Sequence, residues 1–176
     1  MNDIKQKAAN LINQVKESVP LVHHITNYIT ANDCANITLA IGGSPVMADA
    51  PEEAADITGI SSSLVINIGS LNERTISSMM VAGKTANQAG IPVVFDPVGV
   101  GASQLRNESS SQIVDGIKID VLRGNVSEIR YLSGKKSQTK GVDASEHDML
   151  SSAESVTIAK LLAAQLECVV AITGAV

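Results

Sequence analysis

Apolar positions along this chain follow two rhythms that take turns. One is the three-to-four spacing of an amphipathic helix; the other is a short unbroken apolar run closed by a polar or glycine-rich turn. The helical rhythm covers residues 2–18, where Ile4, Ala8, Leu11, Ile12 and Val15 share a stripe, and Pro20 ends it. Leu21–Ile25 reads as a strand, and Thr26 or Asn27 is placed to cap a helix over 28–41. That helix interrupts its apolar pattern with Thr30, Asn32, Asp33, Asn36 and Thr38, so it presents either a solvated face or the lining of a polar pocket. Gly42-Gly43-Ser44-Pro45 reads as a turn before a brief run at 46–48, and Pro51 opens a helix through Ile57.

The pattern then repeats. Residues 64–69 form a strand, 71–88 a helix capped by Ser70 or Asn72, and Ile91–Phe95 a strand that stops at Asp96. Residues 105–117 form a helix, 119–122 a strand, and Arg123-Gly124-Asn125 a turn into a helix through Leu132. Residues 133–148, rich in Ser, Gly, Lys and acids, read as a mobile surface loop. A last helix carries Val156, Ala159, Ala163 and Leu166, and a last strand runs from Val169 to Thr173. Continuous apolar strands alternating with helices, without hairpin signals, predict βαβ units: an α/β, three-layer α/β/α domain on a mainly parallel sheet, spanning 1–176 as one unit.

Composition narrows the function classes. With 44% hydrophobic residues, no Trp, one Phe and two Tyr, the core is aliphatic, as buried parallel strands require. A formal net charge of −5 without a basic cluster argues against a nucleic-acid surface, and no apolar stretch reaches the roughly 20 residues of a membrane span. The start of the chain is polar and amphipathic, unlike a secretory leader. Cys34 and Cys168 lie far apart without metal-ligand spacing and read as reduced thiols of a cytoplasmic protein.

Chemistry-bearing residues collect where strands end. Pro97 biases Asp96 toward extended backbone, so its carboxylate belongs at a strand's C-terminal tip, the rim where open α/β sheets bind ligands. Arg123, Asn125 and Glu128 follow another strand, and Thr173 ends the last. Asp96 and Glu128 together could hold Mg²⁺, mostly through waters; Arg123 could clamp phosphate oxygens and Thr173 donate to them. These are parts that phosphoryl transfer uses. Each residue also has an ordinary reading: Asp96 as a turn former, Glu128 as a helix-dipole partner, Arg123 as a surface cation. Neither a Gly-x-x-x-x-Gly-Lys-Ser/Thr loop nor a Gly-x-Gly-x-x-Gly fingerprint occurs.

The segments Leu21-Val22-His23-His24-Ile25-Thr26-Asn27, Gly43-Ser44-Pro45-Val46-Met47-Ala48 and Val65-Ile66-Asn67-Ile68-Gly69-Ser70-Leu71 resemble those of hydroxyethylthiazole kinases. So do Ala82-Gly83-Lys84, Asp96-Pro97-Val98-Gly99 with Gly101-Ala102, Arg123-Gly124-Asn125 with Glu128-Ile129, and Ala171-Ile172-Thr173-Gly174. The resemblance implies a ribokinase-like fold and transfer of the γ-phosphoryl of ATP to the primary hydroxyl of 4-methyl-5-(2-hydroxyethyl)thiazole, with Mg²⁺, in thiamine salvage. It implies that Asn27, Met47 and Gly69 contact the thiazole, that Asp96 and Glu128 organise Mg²⁺, and that Arg123, Asn125 and Thr173 serve ATP. It also implies a homotrimer with sites between subunits.

Members of that family continue past the strand ending at Gly174, and their Gly-Ala-Gly-Cys turn, with its anion hole and base-position cysteine, falls in that continuation. The resemblance therefore assigns no catalytic residue within 1–176 and predicts a domain truncated at its C-terminal end. Two rivals follow: a non-catalytic thiazole-binding or structural fragment, and a related ribokinase-like kinase of another small alcohol.

Overall fold

The computed structural model describes residues 2–134 and 152–174. Six strands form one sheet in the order β2-β1-β3-β4-β5-β6, with every neighbouring pair parallel. They are β1 (Leu21–Ile25), β2 (Ser44–Val46), β3 (Ser63–Asn67), β4 (Val93–Asp96), β5 (Val121–Asn125) and β6 (Val169–Thr173). The helices are α1 (Asn2–Ser18), α2 (Ala31–Ile41), α3 (Pro51–Gly59), α4 (Glu73–Ala89), α5 (Gln104–Gly116), α6 (Val126–Leu132) and α7 (Ser152–Leu166). The α/β alternation read from the sequence is the architecture observed. The loop expected over 133–148 falls, beyond Gly134, outside the described residues.

Among the boundaries that differ from expectation, three do so for a tertiary reason. Ser44 and Pro45, read as turn, belong to β2; this strand lies at the edge of the sheet, where a proline's missing N–H disturbs one side only. Arg123-Gly124-Asn125, also read as turn, continue β5 because Ala171, Ile172 and Thr173 of β6 pair with them in register. Helix α2 starts at Ala31 and not at 28, since the Asn27 side chain accepts the Thr30 N–H (3.0 Å) and holds the intervening residues in a turn. By contrast α4 starts where a cap was foreseen: Asn72 and Thr75 exchange side-chain and backbone bonds in a capping box.

Successive strand residues face opposite sides of a sheet, and the adjacent histidines of β1 mark which helix lies where. His23 meets Thr58 of α3 (Nδ1 to Oγ1, 2.8 Å), whereas His24 meets Thr38 of α2 (Nε2 to Oγ1, 3.2 Å). On the α3 side, Leu64, Ile66, Val93, Phe95 and Leu122 are fully buried, in one cluster with Ala54 of α3, Met79 of α4, Ile113 of α5, Ile129 of α6 and Leu162 of α7. Burial of such side chains contributes roughly 1.5–3 kcal/mol each and is the main source of stability. The α2 side carries α2 and, packed against the end of α2, α1; a Cβ at Gly42 would come within 2.6 Å of the Lys16 side chain. On that side Val65, Val94 and Val121 are only half-buried, and Val169 is 62% exposed.

Candidate active site on the C-terminal rim

Asn67 and Asp96 end β3 and β4, and Arg123 stands two residues before the end of β5, all on the α2 side. Asn67 pairs in register with Asp96, and the β4–β5 pairing of Phe95 with Leu122 brings Arg123 beside Asp96. A hydrogen-bonded row results. The Asn27 amide donates to Asn67 Oδ1 (3.1 Å), the Asn67 amide donates to Asp96 Oδ2 (3.1 Å), and Arg123 Nη1 donates to the same oxygen (2.7 Å). Gly69 closes on the row from the β3–α4 loop: its N–H donates to Asn67 Oδ1 (2.9 Å), and a Cβ there would lie 2.9 Å from both the Asn27 amide nitrogen and Asn67 Oδ1. Only glycine allows that approach.

Asp96 is 8% exposed, and its Oδ1 is buried without a hydrogen-bond partner. Burial pushes its carboxyl above the usual range, against the opposing pull of the Arg123 hydrogen bond and charge and of the Asn67 bond. Glu128 is still more buried, at 3%. Its Oε1 accepts the Gly99 N–H (2.8 Å) and its Oε2 the Asn125 N–H (2.7 Å), while Asn125 Oδ1 accepts the Glu128 N–H (3.0 Å). Burial likewise raises the Glu128 carboxyl, the two backbone donors lower it, and the nearby Asp96 charge raises it again. Asn125 and Glu128 thus form a capping box at the start of α6 that also ties down the Gly99 turn. Gly99 has φ +73°, a left-handed backbone suited to glycine.

The sequence candidates fall into two groups. Asn27, Gly69, Asp96 and Arg123 are linked directly through the row, with Glu128 and Asn125 one turn away behind Gly99. Thr173 lies in register with Asn125, on the α2 side of the sheet. Met47 stands apart in the β2–α3 loop, 39% exposed, next to Ala48, whose carbonyl accepts from His23 Nε2 (2.7 Å). That bond fixes the tautomer, since a carbonyl can only accept; burial lowers the His23 pKa and keeps the ring neutral.

Three groups at this rim gave no signal as candidates. Asn67 is the central link of the row. Arg106, from the first turn of α5, donates to the carbonyls of Ile68 (2.6 Å), Gly69 (2.8 Å) and Val98, locking the β3–α4 and β4–α5 loops together. Arg74, from the first turn of α4, bonds Asp49 and Tyr28. A lone cation in a helical pattern looks like solvated surface, and backbone carbonyls, as acceptors, carry no residue signature.

Magnesium, which the resemblance calls for, can be weighed against these groups. Among the described residues no group of three or more His, Cys, Asp or Glu gathers to form a protein cage. Mg²⁺ commonly needs only one or two carboxylates beside substrate phosphates and water. The unpartnered, buried Asp96 Oδ1 is an oxygen of that kind, so the residues fit the ion.

The all-parallel sheet, with helices packed on it and an acid, a guanidinium and two amides lined up at its C-terminal rim, is an α/β domain consistent with the ribokinase-like fold that the resemblance implies. The chain belongs to the hydroxyethylthiazole kinase family, whose profile matches residues 12–176. It is 61% identical over 176 residues to the hydroxyethylthiazole kinase of Ruminiclostridium cellulolyticum, covering all of this chain and 64% of that protein. It is likewise 61% identical to that of Clostridium beijerinckii, covering 99% and 63%. The solved hydroxyethylthiazole kinase structure from Pyrococcus horikoshii OT3 superposes with a TM-score of 0.81 at 38% identity, over 93% of this chain and 59% of that one. The chain thus spans 64% of the length of the first of these relatives. Among the described residues no helix is long and apolar enough to cross a membrane.

Proposed function

We propose that this chain carries the substrate- and metal-binding half of a kinase that transfers the γ-phosphoryl of ATP to the primary hydroxyl of 4-methyl-5-(2-hydroxyethyl)thiazole, in the cytoplasm. The observation that carries the reading is the Asn27–Asn67–Asp96–Arg123 row, with the free Asp96 Oδ1 at its centre. Asn27, Gly69 and Met47 contact the thiazole alcohol. Asp96, with Glu128 behind it, holds Mg²⁺, which supplies charge neutralisation for the phosphate oxygens. Arg123, half-exposed and anchored to Asp96 through one guanidinium nitrogen, clamps phosphate, and Thr173 donates to it from β6. Asn125 serves the nucleotide indirectly, by holding Glu128 and the Gly99 turn in place through the cap.

Homotrimer formation belongs to the same reading. Its support is the apolar surface at the start and along α2, where Ile29 is 88% exposed, Ile37 60% and Leu39 59%.

The test pairs a calorimetric titration of the thiazole alcohol into the chain with an ADP-release assay in Mg²⁺·ATP. Saturable uptake and alcohol-dependent ADP release are the expected results; absence of both overturns the reading. Uptake without ADP release selects the thiazole-binding fragment instead. One observation favours that second reading: on the α2 side of β4–β6, Val94 and Val121 are only half-buried and Val169 is 62% exposed. ADP release with a different small alcohol, and none with the thiazole, selects the related-kinase alternative.

A further inference from the structure

Arg74 is the second residue of α4, where the partial positive charge of a helix N-terminus disfavours a cation. Something other than helix stability must hold it there, and its contacts show what does. Nη1 donates to the Asp49 carbonyl (2.9 Å) and to Asp49 Oδ1 (3.0 Å), and Nη2 donates to Asp49 Oδ2 (2.9 Å) and to the Tyr28 hydroxyl oxygen (3.0 Å). Tyr28 in turn donates its proton to Asp49 Oδ2 (2.7 Å), and Ser78, one turn further along α4, donates to the Asp49 carbonyl (2.7 Å). A planar fork engages a carboxylate and its own backbone carbonyl at once, a geometry that lysine cannot reproduce.

The residues so joined are neighbours of the alcohol contacts. Tyr28 follows Asn27 in the β1–α2 loop, Asp49 lies two residues beyond Met47 in the β2–α3 loop, and α4 itself begins at the end of the loop that carries Gly69. We propose that Arg74, through Asp49 and Tyr28, is a positioning residue that sets the spacing of the three loops bearing Asn27, Met47 and Gly69, and so determines how tightly a small alcohol is gripped. This rests on the assignment of those three residues to the thiazole alcohol. Arg74 itself touches no substrate.

Arg74 is exposed and lies outside the buried cluster, so Arg74→Met is expected to leave the fold intact. In the 176-residue chain, Arg74→Met is expected to weaken uptake of 4-methyl-5-(2-hydroxyethyl)thiazole by about tenfold or more, as small misplacements of binding groups do. Affinity for Mg²⁺·ATP should stay within about twofold. Tyr28→Phe, which frees only the β1–α2 loop, should fall between the two, and Arg74→Lys should restore little. A second measurement needs no ligand: Arg74→Met should shift the backbone amide resonances of Ile29, Met47 and Ala48 together, leaving Gly99 and Val100 in place. Unchanged alcohol affinity, or equal loss of alcohol and nucleotide affinity, overturns the proposal, as do shifts confined to residues 73–78. If the unaltered chain takes up no thiazole alcohol, the functional assignment falls, and the loop coupling is then decided by the resonances alone.

Discussion

The two faces of the sheet are built from the same strands yet do different work. On the α3 side Leu64 and Ile66 of β3, Val93 and Phe95 of β4 and Leu122 of β5 are all fully buried, under helices that share one cluster. On the α2 side Val65, Val94 and Val121 are half-buried, and the next residue on that face of each strand is Asn67, Asp96 or Arg123. Strand alternation thus separates the groups that hold the domain together from the groups that face a ligand. A change on the first face should be felt as lost stability, and a change on the second as lost binding.

The sharpest way to break that contrast is to compare Phe95 with its neighbour Val94. Phe95→Ala removes a fully buried ring from the centre of the cluster and should cost about 3–5 kcal/mol, which lowers Tm by roughly 6–20 °C in a domain of this size. Val94→Ala, on the half-buried face, should cost about 1 kcal/mol or less. Thermal melts of the two variants decide the matter, and equal losses would mean that both faces are core.

Gly69→Ala probes the rim at smaller cost. The new methyl lands within 2.9 Å of the Asn27 and Asn67 side-chain amides, neither of which has room to withdraw without breaking the row. Stability should drop by about 1–3 kcal/mol, as overpacking does. Uptake of the thiazole alcohol should be nearly abolished, because Asn27 is displaced. A variant that melts lower yet binds the alcohol normally would remove Gly69 and Asn27 from the binding site.

Much of this division was legible before any coordinates. Apolar runs gave the strands, and the polar residue closing each run gave Asp96 and its companions at the rim. What stayed hidden depended on partners remote in the chain. Arg-Gly-Asn has poor strand composition, and nothing local reveals that β6 will pair with it. Gly42-Gly43-Ser44-Pro45 has the composition of a turn, and only an edge position lets Ser44 and Pro45 form strand. Asn67 looks like an unremarkable polar residue in an apolar run until β1 and β4 bring Asn27 and Asp96 to either side of it. The motif Asn125-x-x-Glu128 was visible, but its two functions were not separable: the same carboxylate that serves a metal reading is also the cap of α6 and the anchor of Gly99.

Asp96→Asn gives the smallest stability change and the most specific one, because its sign runs against that expected for loss of a salt bridge. The folded environment raises the Asp96 carboxyl above its usual value of 3.8, burial outweighing Arg123 and Asn67. The folded chain therefore binds that proton more tightly than the unfolded one. Stability contributed by this group is intact below about 3.8, is lost as pH rises through the raised value, and stays lost above it. An asparagine carries no such penalty. It can also keep an oxygen where Arg123 and Asn67 donate, and it relieves the Asp96 charge that helps to raise Glu128. At neutral pH Asp96→Asn should therefore melt at the same temperature or up to a few degrees higher, about 2–4 °C per kcal/mol. The two proteins should converge in acid. Added Mg²⁺ should raise the melting temperature of the unaltered chain and leave the variant unmoved. If the variant instead melts lower at neutral pH, the Arg123–Asp96 ion pair outweighs burial, and the rim is held together by the very charge that the metal reading keeps in reserve.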